Sequence, residues 1–222
     1  MKLNNITACV FDAYGTLFDV NSAAAKCKKK LGNRWENFAN AWRITQLEYT
    51  WLRSLMKKHK NFWQITEDSL DHTMETFKIK KEMRNELLNL YKELSLYPEV
   101  KDCLESLKSK KFKIAILSNG TPDLLKGLVE SNKIENYFDD IMSIESVGIY
   151  KPDAKVYEMP IKKYDCKPEN ICFLSSNTWD VSGGGVFGYN AIWVNRLNKV
   201  FDKLSYEPQF VINNLNQLLE IV

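Results

Sequence analysis

Asp12 comes directly after the apolar run Ala8-Cys9-Val10-Phe11 and just ahead of Gly15 and Thr16. A carboxylate in that place can act as a nucleophile that forms an ester, or as a metal ligand. It can equally cap a turn that Gly15 permits. Three more polar groups stand at the ends of apolar runs or just after them. They are Ser118-Asn119, Lys151, and Ser175-Ser176-Asn177 with Asp180. One such residue means little. Four, separated by apolar strands, are what a site at the mouth of a parallel sheet requires, because loops beyond strand ends carry function. Arg43 is a further candidate. It lies beside an aromatic stripe, and a guanidinium with several donors can receive an anion. A solvated Arg on an amphipathic helix would look the same.

The elements that must position these groups follow from periodicity. Nothing in Ala8–Phe11 alternates with polar residues, which predicts a buried central strand. From about Asn21 to Leu94 the pattern is helical. Trp35, Phe38, Trp42, Thr45, Tyr49, Leu52 and Met56 predict one face of a long helix, widened by Leu47 and Trp51. Thr66 ahead of Glu67 and Asp68 predicts an N-cap, with Leu70, Met74 and Phe77 following. Met83, Leu87, Leu90, Tyr91 and Leu94 predict another helical face. From Tyr97 strands and helices alternate. Phe112–Leu117, Ile141–Ile144, Ile171–Leu174 and Ala191–Val194 read as strands. Val100, Leu104 and Leu107 mark a helix, Thr121-Pro122 opens another, and Lys151-Pro152-Asp153 a third. Pro160 should kink or end that third helix. Leu215, Leu218, Leu219 and Val222 predict a closing helix. Such alternation means an α/β fold, a doubly wound parallel sheet with helices on both faces. Residues 1–18 and 97–222 would form this Rossmann-like core, and 19–96 a helical cap subdomain inserted after the first strand.

Composition narrows the function classes. The chain has 222 residues, 45% of them apolar, enough for a sizeable core. A net charge of +3 gives no argument for nucleic acid or membrane, and the lysine clusters read as solvated faces. Five scattered cysteines without Cys-x-x-Cys spacing favour free thiols in a reducing compartment. No signal-peptide profile opens the chain and no apolar run approaches a membrane span, so a cytoplasmic protein is expected. The two histidines, His59 and His72, lie in the helical insert, away from the polar strand ends, which argues against a Ser-His-Asp or Cys-His apparatus. Gly183-Gly184-Gly185 lacks the Lys-Ser/Thr ending of a phosphate loop. In a helix each of these glycines should cost roughly 1 kcal/mol relative to Ala.

The string Asp12-Ala13-Tyr14-Gly15-Thr16-Leu17-Phe18-Asp19 resembles motif I of the haloacid dehalogenase superfamily, and within it the 2-haloacid dehalogenase branch. The other polar strand ends match that superfamily's motif order: Asp, then Ser/Thr, then Lys, then an acidic loop. Phosphatases of the superfamily carry a second Asp as general acid where this chain has Tyr14. Its metal-dependent members carry an Asp where this chain has Ser176. A phosphate ester needs a protonated leaving group and a magnesium site needs carboxylates, whereas a departing halide needs no proton. Ser175-Ser176-Asn177-Thr178-Trp179-Asp180 is similar to the metal-free dehalogenase loop, and the run from Trp42 to Arg53 is similar to the dehalogenase cap.

The resemblance implies hydrolysis of short L-2-haloacids to 2-hydroxy acids with inversion, with neither metal nor cofactor. Asp12 would be the nucleophile, oriented by Thr16 and Ser175. Arg43 and Asn119 would receive the halide. Ser118 and the backbone amides of Ala13 and Tyr14 would hold the substrate carboxylate. Asp180 would be the base, supported by Lys151, Asn177 and Tyr157, with Lys151 neutralising either the substrate carboxylate or Asp180. Leu47, Phe62 and Trp179 would line the substrate. Partners would be the haloacid and the halide, with no nucleic acid and no membrane. The aromatic-rich helix is compatible with a homodimer through the cap. Two rival readings are a magnesium-dependent phosphatase of the same superfamily and a non-catalytic ligand-binding protein on the same fold. Ile44, Pro160 and the three glycines depart from the family pattern.

Overall fold

The computed structural model describes residues 2–26 and 28–222. Among them, six strands form one sheet: β1 (Ala8–Phe11), β2 (Lys113–Ser118), β3 (Asp140–Ser143), β4 (Ile171–Ser175), β5 (Asn190–Val194) and β6 (Phe210–Ile212). All pairings are parallel, in the order β3-β2-β1-β4-β5-β6. Val10 stands opposite Ala115 on one side and Phe173 on the other. Every residue of β1 and β4 is buried, which explains why these strands read as unbroken apolar runs. Strand order reverses at β1. A crevice therefore opens beyond its C-terminal end, and because the sheet is parallel the ends of β2 and β4 lie on the same edge.

Helices α1 (Asn21–Lys26), α2 (Lys28–Leu31), α3 (Trp35–Leu55), α4 (Phe62–Thr76) and α5 (Arg84–Tyr91) fall between β1 and the next core helix, α6 (Val100–Ser109). The chain leaves and rejoins the sheet through two segments tied side by side. The Asp19 amide donates to the Ser95 carbonyl at 2.8 Å, and the Tyr97 amide to the Leu17 carbonyl at 3.1 Å. Further on come α7 (Pro122–Ser131), α8 (Ala154–Tyr164) and α9 (Thr178–Phe187). Thr121 caps α7 with Pro122 at its first position, as the sequence predicts. No helix of the described residues is long and apolar enough to cross a membrane.

Several local expectations need correction. The buried face of α3 is Phe38, Ala39, Trp42, Gln46 and Thr50, while Leu52 and Met56, on the expected stripe, are exposed. Hydropathy followed the wrong row because two residues of the true one are polar and bonded internally. Thr66 is not an N-cap. Helix α4 starts at Phe62, and the Asn61 side chain accepts from the Gln64 amide. Thr66 lies one turn inside, buried, donating to the Phe62 carbonyl. Pro160 does not end α8, which continues to Tyr164. Proline removes one helical donor there, and the burial of Val156, Tyr157 and Pro160 holds the rest of the helix in place. Leu215–Glu220 is a 3-10 helix rather than an α-helix. Strand β6, only three residues long, gave no periodic signal.

The triple glycine has a packing reason. A Cβ at Gly183 would lie 2.5 Å from the Tyr157 hydroxyl and 2.7 Å from Pro152 Cβ, and one at Gly184 would lie 2.8 Å from the Phe173 ring. The glycines let α9 settle directly on α8 and β4. Gly183→Ala gains about 1 kcal/mol of helix propensity. Against that, overpacking costs about 1–3 kcal/mol, and the Tyr157 side chain, fully buried and bonded to Asp180, has little room to yield. We expect a net loss of thermal stability together with reduced turnover. Gly185→Ala should do less to turnover, since the atoms nearest its Cβ, at 2.4–2.5 Å, belong to the half-buried Tyr206 ring and not to the Tyr157–Asp180 pair. Equal effects of the two variants on turnover would contradict this account.

Candidate active site

Asp12 leaves β1 pointing into the crevice and is 5% exposed. Its two oxygens have different surroundings. Oδ2 accepts from the Thr16 hydroxyl at 3.1 Å and from Asn177 Nδ2 at 2.9 Å, while Oδ1 accepts from Lys151 Nζ at 3.2 Å. Thr16 is set in turn by the Ser176 amide, which donates to its hydroxyl oxygen at 2.8 Å. The Ser175 hydroxyl accepts from the Asn177 amide at 3.1 Å, so Ser175 supports Asp12 through Asn177.

Lys151 is completely buried and bridges two carboxylates, Asp12 and Asp180, the latter at 2.9 Å. Burial alone would lower the pKa of its ammonium, but Asp180 and Asp12 outweigh burial and hold it above the usual lysine value. Asp180 follows β4 in the first turn of α9 and accepts from the Tyr157 hydroxyl at 2.7 Å. Burial pushes its carboxyl above the ordinary value, and Asp12 adds to the rise. Lys151 and Tyr157 pull it part of the way back. The sequence left two roles open for Lys151; its ammonium in fact lies between the two carboxylates.

On the β2 side, the Asn119 carbonyl oxygen accepts from the Lys151 amide at 3.1 Å, which turns the Asn119 side chain toward the crevice wall. The Ser118 hydroxyl accepts from the Gly120 amide at 3.1 Å. Ala13 is fully buried. The Tyr14 ring packs against the helical insert, 5.3 Å from Phe62 and 5.7 Å from Tyr91. Burial, then Tyr91, pushes its hydroxyl well above the usual phenol value, so it stays neutral. That hydroxyl has no hydrogen-bond partner among the described residues.

Arg43 comes in from α3. With Tyr14, Asn177 and Trp179 it lines a cavity of about 320 Å3. Trp179 packs edge-on against Trp51 at 5.4 Å. Leu47, one turn beyond Arg43, is half-buried, and Ile44 is 57% exposed and faces away from the crevice. A larger cleft of about 610 Å3 lies between Trp63, Lys92 and α7. Asp12, Lys151 and Asp180 line neither space; the smaller cavity adjoins Asp12 through Tyr14 and Asn177, whose side chain bonds Asp12.

Two features of the site were not foreseen. Gln46 and Tyr91 lie behind Arg43, and Gln46 accepts from Arg43 Nη1 at 2.8 Å. The available signal was a Gln recurring at the four-residue spacing of Phe38, Trp42 and Thr50. The other is Gly183, whose missing side chain leaves room for the Tyr157–Asp180 contact. Among the described residues no group of three His, Cys, Asp or Glu is placed to hold a metal ion. Both Asp180 oxygens already accept hydrogen bonds, one from Lys151 and one from Tyr157.

A nucleophile-grade carboxylate, a buried ammonium, a second carboxylate of raised pKa and a guanidinium facing a small cavity suit displacement at carbon by an ester-forming route. A family model described as haloacid dehalogenase-like hydrolase matches residues 6–188. The chain is similar to (S)-2-haloacid dehalogenase 1 of Pseudomonas sp. (strain CBS-3), 40% identical over 99% of this chain and 98% of that one. It is also similar to (S)-2-haloacid dehalogenase 4A of Burkholderia cepacia, 39% identical over 99% of this chain and 94% of that one. Among solved structures, the L-2-haloacid dehalogenase of Xanthobacter autotrophicus with chloropropionic acid covalently bound superposes with a TM-score of 0.90. The two are 32% identical, with 97% of each chain covered.

Proposed function

The chain belongs to the haloacid dehalogenase-like hydrolases, and within them to the (S)-2-haloacid dehalogenase family. From that membership we propose that it hydrolyses the carbon–halogen bond of short L-2-haloacids, giving 2-hydroxy acids of inverted configuration without a metal ion. The observation that carries this reading is the Asp12–Lys151–Asp180 bridge, two carboxylates on one buried ammonium, with Tyr14 where a phosphatase would need a carboxylic acid.

Asp12 attacks the α-carbon in line with the halogen. The new C–O bond forms as the halide leaves with the bonding pair, and back-side attack inverts the centre. Arg43 and the Asn119 amide receive the halide. Ser118 and the backbone N–H groups of Ala13 and Tyr14 hold the substrate carboxylate, and Leu47, Phe62 and Trp179 exclude water around the carbon. Asp12 and Asp180 against Lys151 leave one negative charge in the crevice, which Arg43 offsets, so an anionic substrate meets no net repulsion.

Water then attacks the ester carbonyl of Asp12, with Asp180 taking its proton. Timing favours this step. Once esterified, Asp12 no longer carries the charge that raises Asp180, so the carboxylate form of Asp180 is favoured when a base is needed. Lys151, Asn177 and Tyr157 hold Asp180 and the ester in place, and Thr16 and Ser175 orient Asp12. Helices of 19–96 serve as the cap over a core of 1–18 and 97–222.

Chloride release from each enantiomer of 2-chloropropionate, measured in EDTA, tests the proposal, with p-nitrophenyl phosphate plus magnesium run alongside. Release from the L form alone, undiminished by EDTA, is the expected result. Magnesium-dependent phosphate release without chloride would replace this reading with the phosphatase one.

A further inference from the structure

Gln46 is 1% exposed in the middle of the helical insert, and all of its side-chain hydrogen-bonding groups have partners. Its Nε2 donates to Thr66 Oγ1 at 2.7 Å and to the Tyr91 hydroxyl at 3.0 Å. Its Oε1 accepts from Arg43 Nη1 at 2.8 Å. The direction of this chain is determined. Thr66 uses its own hydrogen on the Phe62 carbonyl at 2.8 Å and can only accept from Gln46. Turning the Gln46 amide over would put an N–H against the guanidinium. One polar thread therefore runs from Arg43 through Gln46 and Thr66 to the carbonyl of Phe62, at the start of α4. Phe62 packs its ring on Tyr14, two residues after Asp12.

We propose that Gln46 is a positioning residue for the halide receptor: a neutral buried acceptor that aims Arg43 without cancelling its charge, and that locks Arg43 and Phe62 into one register. This rests on the reading of Arg43 as the group that meets the departing halide. Neutrality is the essential property. A carboxylate of the same shape would accept from Arg43 equally well, but it would neutralise the guanidinium in a site of low dielectric and leave little positive charge for the halide. An apolar side chain would leave Arg43 with Tyr91 alone and take a donor away from Thr66 and Tyr91.

The test compares wild type with Gln46→Glu, Gln46→Leu and Thr66→Val. Chloride binding is read by NMR line broadening and competition with bromide, and turnover is read on 2-chloro- and 2-bromopropionate. We expect Gln46→Glu to weaken chloride binding about tenfold or more. We also expect its rate on the chloro substrate, relative to the bromo one, to fall about tenfold, because the poorer leaving group depends more on the receptor. Gln46→Leu and Thr66→Val should shift both readouts in the same direction by smaller factors. Thr66→Val, nearly isosteric, serves even if the buried Glu prevents folding.

Unchanged chloride affinity with an unchanged chloro-to-bromo ratio in the folded variants would overturn the proposal, whatever their melting temperatures. A wild-type protein that binds no chloride would overturn it too. Chloride binding that depends on Gln46, in a wild type that releases no halide from any 2-haloacid, would sustain the proposal and sink the assigned reaction instead.

Discussion

Asp12→Asn should abolish halide release, by about ten-thousand-fold or more, while the protein stays folded. The substitution is isosteric and keeps an oxygen for Lys151, but an amide nitrogen cannot open the carbon–halogen bond at a useful rate. The fold has little reason to suffer. One of two carboxylates sharing Lys151 becomes neutral, which relieves their mutual repulsion, and the cost is a poorer match to Asn177 and Thr16. Thermal unfolding and circular dichroism of the variant should therefore stay close to wild type. A second readout locates the nucleophile. In a single turnover in heavy-oxygen water, the solvent oxygen should enter the Asp12 carboxyl group before the product, because water attacks the ester carbonyl. A folded Asp12→Asn protein with a tenth of wild-type activity would remove Asp12 from its assigned role.

Lys151→Met should be the most damaging single change to stability in this region. The ammonium is fully buried and is the cation between Asp12 and Asp180. Removing one member of a buried ion pair costs about 3–5 kcal/mol, because the remaining charge is left uncompensated. For a chain of this size that corresponds to a fall of roughly 6–20 °C in melting temperature. Two checks separate this cause from lost packing. Adding Asp180→Asn to the Lys151→Met protein should restore part of the loss, since the double variant no longer buries two facing carboxylates. The loss should also shrink in acid. A carboxyl whose folded pKa lies above its unfolded value contributes stability that is present below the unfolded value, about 3.8 for Asp180, and is lost as pH rises through the folded value. Lys151→Met raises that folded value further, so the variant should regain stability toward wild type as pH falls from neutral. A deficit independent of pH and of Asp180 would mean that Lys151 acts through its stem alone. Turnover should fall as well, since losing the ammonium pushes the Asp180 carboxyl further up and favours its protonated form over the base.

Much of this was legible in the chain. Asp12, Ser118-Asn119 and Ser175 could be read as neighbours because each ends an apolar run, and the ends of parallel strands must share an edge. Tyr14 and Ser176 separated dehalogenase from phosphatase chemistry only through the resemblance, which says where the superfamily's phosphatases carry aspartates. Arg43 needed the resemblance, since an arginine on an amphipathic helix carries no distinguishing pattern. The misreadings in the helical insert share one cause. Gln46, Thr50 and Thr66 are polar and buried, so a hydropathy stripe passes them by. Gln46 and Thr66 owe their environment to hydrogen bonds between distant residues, Gln46 to Tyr91 45 positions away and Thr66 to Gln46, whereas Thr50 turns its hydroxyl back onto the Leu47 carbonyl. The triple glycine failed in the same way. Helix propensity counts only its cost, and the compensating close approach to Tyr157 and Phe173 involves other elements of the fold.

Residue type and local spacing determined which groups could react, the parallel α/β class and the all-helical segment after the first strand, because these depend on side-chain chemistry and short-range periodicity. Only the tertiary structure decided that Lys151 sits between two carboxylates instead of facing solvent, that Asp180 is pushed upward in pKa, and that a buried glutamine stands behind Arg43. Each of those depends on burial and on partners distant in sequence, and an ammonium, a carboxylate or an amide reads the same along the chain whether it is solvated or enclosed.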